Sequence, residues 1–219
     1  YRNIKDEATV TTALRTGKLD IAELVRWTDM EELKKSVPQL KWSKWLSMNG
    51  QFLAMRVDTK PFDDIRVRHA LNLAVNKQEI VKAYYGGNAE LFAYPQHPDY
   101  VGYFEPLESM PASIKELFTY NPDKAKKLLA EAGWIYRDGA LRNAKGEPFT
   151  LEFLDNSGSM GRVVTPYAKN LEKLGFKVNY KVIDFAVLQK RLDVFDFEII
   201  SNRNVGSESP GTELFERFG

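Results

Sequence analysis

Three features of the 219-residue chain predict an α/β fold, a mixed β-sheet flanked by helices. From Phe149 onward, two-residue alternation and helical periodicity take turns, giving strand, helix, strand, helix, strand. Val67, Ala70, Leu71, Ala74 and Val75 fall at the i, i+3, i+4, i+7, i+8 spacing of one buried helical face. Strand-like runs also flank Asn49-Gly50, the dipeptide best suited to a type I′ turn, which predicts an early hairpin. The late βαβ units imply right-handed crossovers and a sheet that is at least partly parallel; a dominant hairpin would make the class α+β instead.

Composition narrows the function. The chain is 43% hydrophobic and 28% charged, ordinary for a soluble globular protein. A net charge of +1 with dispersed Lys and Arg argues against nucleic acid as a partner. Without cysteine there is no disulfide, thiol chemistry or Cys-based metal site. No apolar run approaches the roughly 20 residues of a membrane span. Tyr1-Arg2-Asn3 begins no signal peptide, and a start without Met leading straight into a helix predicts a piece of a longer polypeptide.

Taken in order, Val10, Ala13 and Leu14 form a helical face closed by Gly17, and Lys18 to Ala22 reads as a short strand. Thr28-Asp29-Met30-Glu31 has capping-box spacing and opens a helix that ends before Pro38. Trp42 to Met48 and Phe52 to Val57 are the arms of the expected hairpin. Asp63 or Asp64 caps the central helix, and Asn76, three residues before Glu79, caps a second one through Ile80, Val81 and Tyr84 that stops at Gly86-Gly87. Residues 88–120 have no clean period and carry Tyr94, Tyr100, Tyr103 and Phe104 among four prolines, which predicts a long ordered loop. Asn121-Pro122-Asp123 starts a helix with buried Ala125, Leu128, Leu129 and Ala132, ended by Gly133. Asp138-Gly139 and Lys145-Gly146 punctuate an excursion. Phe149, Leu151 and Phe153 then alternate as a strand. Val164, Tyr167, Ala168, Leu171 and Leu174 form a helix stopped by Gly175, and Phe176 to Val182 is again a strand. Phe185, Leu188 and Leu192 suggest a helix, and Phe195 to Ile200 a last strand.

The segment PFDDIRVRHALNLAVNKQEIV resembles the signature of the family 5 extracytoplasmic solute-binding proteins of ABC importers, with Asn76 where many relatives carry Asp. ALRTGKLDIAEL and YNPDKAKKLLAEAGW are similar to two further landmarks of that family, and LEFL through FDFEII and SPGTELFERFG resemble its microcin C peptide-binding branch. The resemblance implies a periplasmic-binding-protein-like lobe over residues 1–219, the second of two lobes that close by a hinge around an oligopeptide or a related small solute. Implied partners are the missing lobe of the same chain and an ABC permease; the implied location is periplasmic, or extracytoplasmic and membrane-anchored. It implies no enzyme activity and no cofactor. On this reading the ligand wall is the end of the last strand and its loop. There Arg203 meets a peptide carboxylate bidentately, Glu208 an α-amino group, and Asn202, Asn204 and Ser207 the peptide backbone. Oligopeptide binders often place an Asp in this loop; here the nearest acid, Glu208, stands towards Pro210. Tyr94, Tyr100 and Tyr103 are further candidates for the cleft, the plainer reading being that they pin their loop to the surface.

One motif competes. Asp155-Asn156-Ser157-Gly158-Ser159 follows an apolar strand as D-x-S-x-S and resembles the metal-ion-dependent adhesion site of von Willebrand A domains, in which Asp155, Ser157 and Ser159 would hold Mg²⁺. Only 60 residues follow Ser159, little room for the remaining ligands of that site. A third reading, the sensor lobe of a regulator, uses the same solute-binding fold. Catalytic signals are missing: His69 and His97 are the two histidines, His69 falls on a polar helix side, and neither a G-x-S-x-G elbow nor a phosphate-binding loop occurs.

Overall fold

The computed structural model describes residues 4, 6–23, 25–46, 49–91, 98, 104–156, 158 and 161–205, with the backbone alone at 49, 51, 162 and 202–205. At the centre lie two short helices, α3 (Ile65–Leu73) and α4 (Lys77–Tyr85), which the sequence caps as expected. Asp64 is the α3 N-cap, its carboxylate accepting the Arg66 N–H at 2.8 Å, and the Asn76 carboxamide oxygen accepts the Glu79 N–H at 3.0 Å. These side chains satisfy donors that the first turn leaves without a helical partner. At the other end of α4, Gly86 takes the left-handed conformation (φ 56°) and the Trp27 ring packs where a Cβ would sit, so both its freedom and its small size are used.

The remaining elements are α1 (Glu7–Arg15), α2 (Trp27–Ser36), β1 (Asn49–Met55), a 3-10 turn (Leu107–Ser109), α5 (Ala112–Leu117), α6 (Pro122–Glu131), β2 (Ile135–Arg137), β3 (Ala140–Arg142), β4 (Thr150–Asp155), α7 (Gly161–Lys173), β5 (Lys177–Val182), α8 (Phe185–Asp193) and β6 (Ile199–Val205). The main sheet has the order β1-β6-β4-β5; β4 is parallel to β5 and β6, and β1 is antiparallel to β6. The fold is therefore α/β with a mixed sheet, as expected.

Alternation along β4 sends its side chains to two cores. Leu151 and Phe153 join Val67, Leu71, Leu129, Val164, Leu171 and Ile199 under α3, α6 and α7. Leu154 and Ile200 meet Leu188 of α8 on the other face. Both faces of β4 are covered, so that Leu154 is buried on the face opposite Leu151 and Phe153, whereas β5, at the sheet edge, has no fully buried residue. A small separate core, Leu14, Leu33 and Val37, holds α1 against α2.

Several expectations are corrected. No hairpin forms about Asn49-Gly50: both residues lie inside β1, and residues 41–46 are irregular. The partner of β1 is β6, with Asn49 opposite Val205, because the half-buried Leu53 and Met55 gain a core that a two-stranded hairpin lacks. Lys18 to Ala22 is not a strand; among the described residues no strand lies beside it, and Ile21 is 80% exposed. Helix α2 is capped by Arg26 without a side-chain bond, and Thr28 instead donates to Asp29. The stretch 88–120 holds the 3-10 turn and α5. The last strand starts at Ile199 and runs to Val205, since Phe195 turns the chain in the left-handed region (φ 55°). Phe185 is exposed, leaving Leu188 and Leu192 to anchor α8.

Leu71, 1% exposed at the middle of the larger core, has no room to be replaced. Leu71→Ala is expected to lower stability by about 2–5 kcal/mol, read as a lower midpoint in urea with an unchanged slope. Asn121 accepts the Lys124 N–H at 3.0 Å as the cap of α6. Asn121→Ala is expected to lower stability by about 1 kcal/mol in the same assay, and an unchanged midpoint would remove that cap from the account.

Candidate ligand-binding edge of the sheet

The loops leaving β4 and β5 part to opposite faces, because α7 packs on one side of the sheet and α8 on the other. In open α/β sheets such a divergence leaves a crevice beyond the carboxyl ends of the strands, and that crevice is where ligands bind. Here β6 reaches farthest into it. It pairs with β4 only through Phe153↔Ile199 and Leu154↔Ile200, while its pairing with β1 continues to Asn49↔Val205. Beyond Ser201, therefore, β6 has β1 on one side and, among the described residues, no strand on the other. The stretch Asn202 to Val205 offers a ladder edge, a row of backbone donors and acceptors of the kind an extended peptide can pair with.

Asp155 closes the floor of this crevice. It is 1% exposed, accepts the Tyr180 hydroxyl at 2.5 Å and accepts the Asn156 N–H at 2.8 Å. Burial, and next the Asp155 carboxylate, push the Tyr180 hydroxyl well up, so that it stays protonated as a donor. Beside it, buried Ser201 donates to the Leu154 carbonyl at 3.2 Å. Asp155 is thus engaged within the fold; Ser157 and Ser159 lie outside the described residues. Among the described residues, no group of three or more His, Cys, Asp or Glu stands ready for a metal ion.

The outer face carries a charged cluster that ties α8 to the sheet. Glu152 accepts from Arg191 at 2.7 Å and pairs with Lys181, and Arg191 also pairs with Asp196 at 2.9 Å. Burial alone would raise the Glu152 carboxyl, but the bonds from Lys181 and Arg191 hold it below its usual range. Next to this cluster Arg56 donates to the Phe195 carbonyl and lies 6.0 Å over the Phe195 ring, which is 60% exposed. Sequence reasoning missed both residues; an aromatic in a tight helix-to-strand turn has no local signature.

It also missed Lys77. Its ammonium donates to the carbonyls of Asn72 and Leu117, at 2.6 and 2.9 Å, beside the Phe118 ring. The cation therefore sits among carbonyls at the ends of α3 and α5, where the helix dipole favours it. Burial pushes this lysine down to about 8.

Of the sequence-predicted ligand residues, Asn202, Arg203 and Asn204 lie on β6, opposite Phe52, Gln51 and Gly50 of β1. They belong to the strand itself and not to the loop after it. Ser207, Glu208, Tyr94, Tyr100 and Tyr103 lie outside the described residues.

The family model described as bacterial extracellular solute-binding proteins, family 5 Middle, matches residues 1–219. The chain is 28% identical over 188 residues to heme-binding protein A of Haemophilus influenzae, covering 86% of this chain and 32% of that protein. It is 26% identical over 196 residues to oligopeptide-binding protein AppA of Bacillus subtilis, covering 88% of this chain and 35% of that protein. The solved structure of AppA from B. subtilis with a nonapeptide superposes with a TM-score of 0.76 at 25% identity, over 97% of this chain and 42% of that one. The chain thus spans about a third of the length of these curated relatives. Both relatives are named as binding proteins and neither as an enzyme.

Two measurements test the chemistry of this region. Tyr180→Phe leaves a buried Asp155 oxygen without that donor and is expected to lower stability by about 1–3 kcal/mol in thermal unfolding. For Lys77, the folded group loses its proton near 8 and the unfolded one near its ordinary 10.5. Between those values the unfolded chain binds more protons, so this group makes stability rise with pH there. Lys77→Met is expected to remove that rise, and a Lys77 NMR titration with its midpoint at the ordinary value would overturn the assignment.

Proposed function

Because the chain belongs to the family 5 bacterial extracellular solute-binding proteins, we propose that it is one lobe of a two-lobed binding protein that captures peptides, or a similar small solute, for an ABC importer. The observation that carries this reading is the edge of β6 beyond the end of β4, Asn202 to Val205, standing in the crevice between diverging loops. Main-chain pairing along such an edge holds a peptide of any sequence, and hydrated surroundings accommodate varied side chains. Likeness to AppA of B. subtilis, named as oligopeptide-binding and solved with a nonapeptide, supports the peptide class.

On this reading Arg203 receives the peptide carboxylate, Glu208 the amino terminus, and Asn202, Asn204 and Ser207 the peptide backbone, with Tyr94 on the cleft wall. The second lobe of the intact protein closes over the ligand, and a permease receives the loaded form. The place of action is outside the cytoplasm, periplasmic or tethered at the membrane surface. No helix among the described residues is long and apolar enough to cross a membrane.

The test is a thermal shift of the full-length protein against a mixed oligopeptide pool and, separately, against Mg²⁺ and EDTA. A ligand at 100 times its Kd adds about 2.7 kcal/mol, enough to raise the midpoint measurably. A rise with peptides is expected; a rise with Mg²⁺ alone, reversed by EDTA, would replace this reading with the adhesion-site one. Arg203→Ala is expected to keep the unliganded midpoint and to weaken peptide capture at least tenfold by calorimetry, and equal affinity would take Arg203 out of the site.

A further inference from the structure

The strand that carries the candidate ligand edge is narrowly moored. β6 pairs with β1 from Asn49↔Val205 to Met55↔Ile199, but with β4 only at Phe153↔Ile199 and Leu154↔Ile200 among the described residues. β1 and β6 therefore form a two-stranded ribbon joined to the rest of the sheet by a short ladder. A slip of two residues along that ladder would keep every side chain on its own face while moving the strand by about 7 Å.

A side chain extends the ladder. The Lys177 N–H donates to the Phe149 carbonyl at 2.9 Å and the Ile183 N–H to the Asp155 carbonyl at 2.8 Å. Odd-numbered residues of β4 thus turn their backbone groups to β5, and even-numbered ones to β6. The Glu152 N–H faces the β6 side just ahead of the paired residues, where β6 has not yet begun. Its acceptor is the Glu198 carboxylate, at 2.6 Å. Without that oxygen, a backbone donor within the sheet would lack a partner.

Glu198 holds β1 as well. Its carbonyl accepts the Arg56 N–H at 2.9 Å, one step beyond the Met55↔Ile199 pair. The turn before it is fastened by two arginines: Arg56 donates to the Phe195 carbonyl, and Arg191 Nε to the Asp196 carbonyl at 2.8 Å. One residue at the entry to β6 thus bonds both neighbouring strands, through its backbone on one side and its side chain on the other.

We propose that Glu198 is a positioning residue for ligand capture: its carboxylate, on the Glu152 N–H, fixes β6 against β4 and so fixes how far Asn202 to Val205 reach into the crevice. This rests on the reading of that edge as the ligand site. The partner is a neutral backbone amide, so the interaction needs an oxygen at the reach of a glutamate side chain and not a negative charge. Glutamine keeps that oxygen and that reach. Aspartate keeps the charge but draws its oxygens back by one methylene.

The test uses the full-length protein and the variants Glu198→Ala, Glu198→Asp and Glu198→Gln. Two quantities are read: the concentration of a mixed oligopeptide pool that gives half the full thermal shift, and amide exchange at Glu152 and Asn202 to Val205 without peptide. For Glu198→Ala and Glu198→Asp, the expected result is a pool concentration at least tenfold higher and exchange at least tenfold faster. For Glu198→Gln both stay within about twofold of the unsubstituted protein. Leu71→Ala, which destabilises from the core, is expected to leave the pool concentration unchanged. Unchanged capture in Glu198→Ala or Glu198→Asp, or a loss in Glu198→Gln as large as in Glu198→Asp, would overturn the proposal. So would an equal loss in Leu71→Ala, which would trace the effect to stability. If the unsubstituted protein shows no shift with peptides, the ligand reading falls, and the exchange comparison by itself decides whether Glu198 fixes β6.

Discussion

The structure depends on the burial of β4 from both sides. Leu151 and Phe153 enter the core beneath α7, while Leu154 enters the smaller core beneath α8. Once a parallel strand is covered on both faces, the crossovers on either side of it must run over opposite faces of the sheet. The diverging loops, the crevice at the carboxyl end and the overhang of β6 all follow from that one arrangement. The candidate crevice is thus a consequence of core packing, and the polar groups nearby refine it.

Those polar groups are largely spent on the fold. Asp155 holds Tyr180 and the Asn156 amide, Ser201 reaches back to the Leu154 carbonyl, and Glu152 is shared between Lys181 and Arg191. A carboxylate at the end of a parallel strand resembles a metal ligand in sequence, yet buried and hydrogen-bonded it serves to anchor the turn into α7. Among the described residues, what the crevice offers is the backbone edge of β6, the feature on which the peptide proposal rests. Lys77 shows the same economy: its ammonium is directed to two helix ends, where it joins α3 to α5.

Elements whose determinants lie within a few residues were legible from sequence. The caps Asp64, Asn76 and Asn121 and the left-handed glycines 86, 133 and 175 appear where local chemistry puts them. The buried faces of α3, α6 and α7 follow their periodicity for the same reason. The candidate ligand residues Asn202, Arg203 and Asn204 were expected in the stretch that follows a strand ending at Ile200, whereas the strand runs on through them to Val205. Arg56, Phe195 and Lys77 could not be found this way, because each acquires its role from partners remote in sequence or from a turn geometry with no sequence marker.

The sequence by itself determined the α/β class, most of the helices, and the family to which the chain belongs; α5 lay in a stretch that reads as loop, and α2 begins ahead of the cap its sequence suggests. Tertiary structure decided which strands pair. Asn49-Gly50 carries the chemistry of a tight turn, yet it lies in a strand opposite Asn204 and Val205, because pairing there buries Leu53 and Met55 against a core that a local hairpin would not have. Lys18 to Ala22 carries the alternation of a strand and is none here, since a strand without a neighbour has nowhere to satisfy its backbone. Helices close their hydrogen bonds within a few residues and can be read from a short window. Strands close theirs across the whole chain, and only the folded molecule shows where.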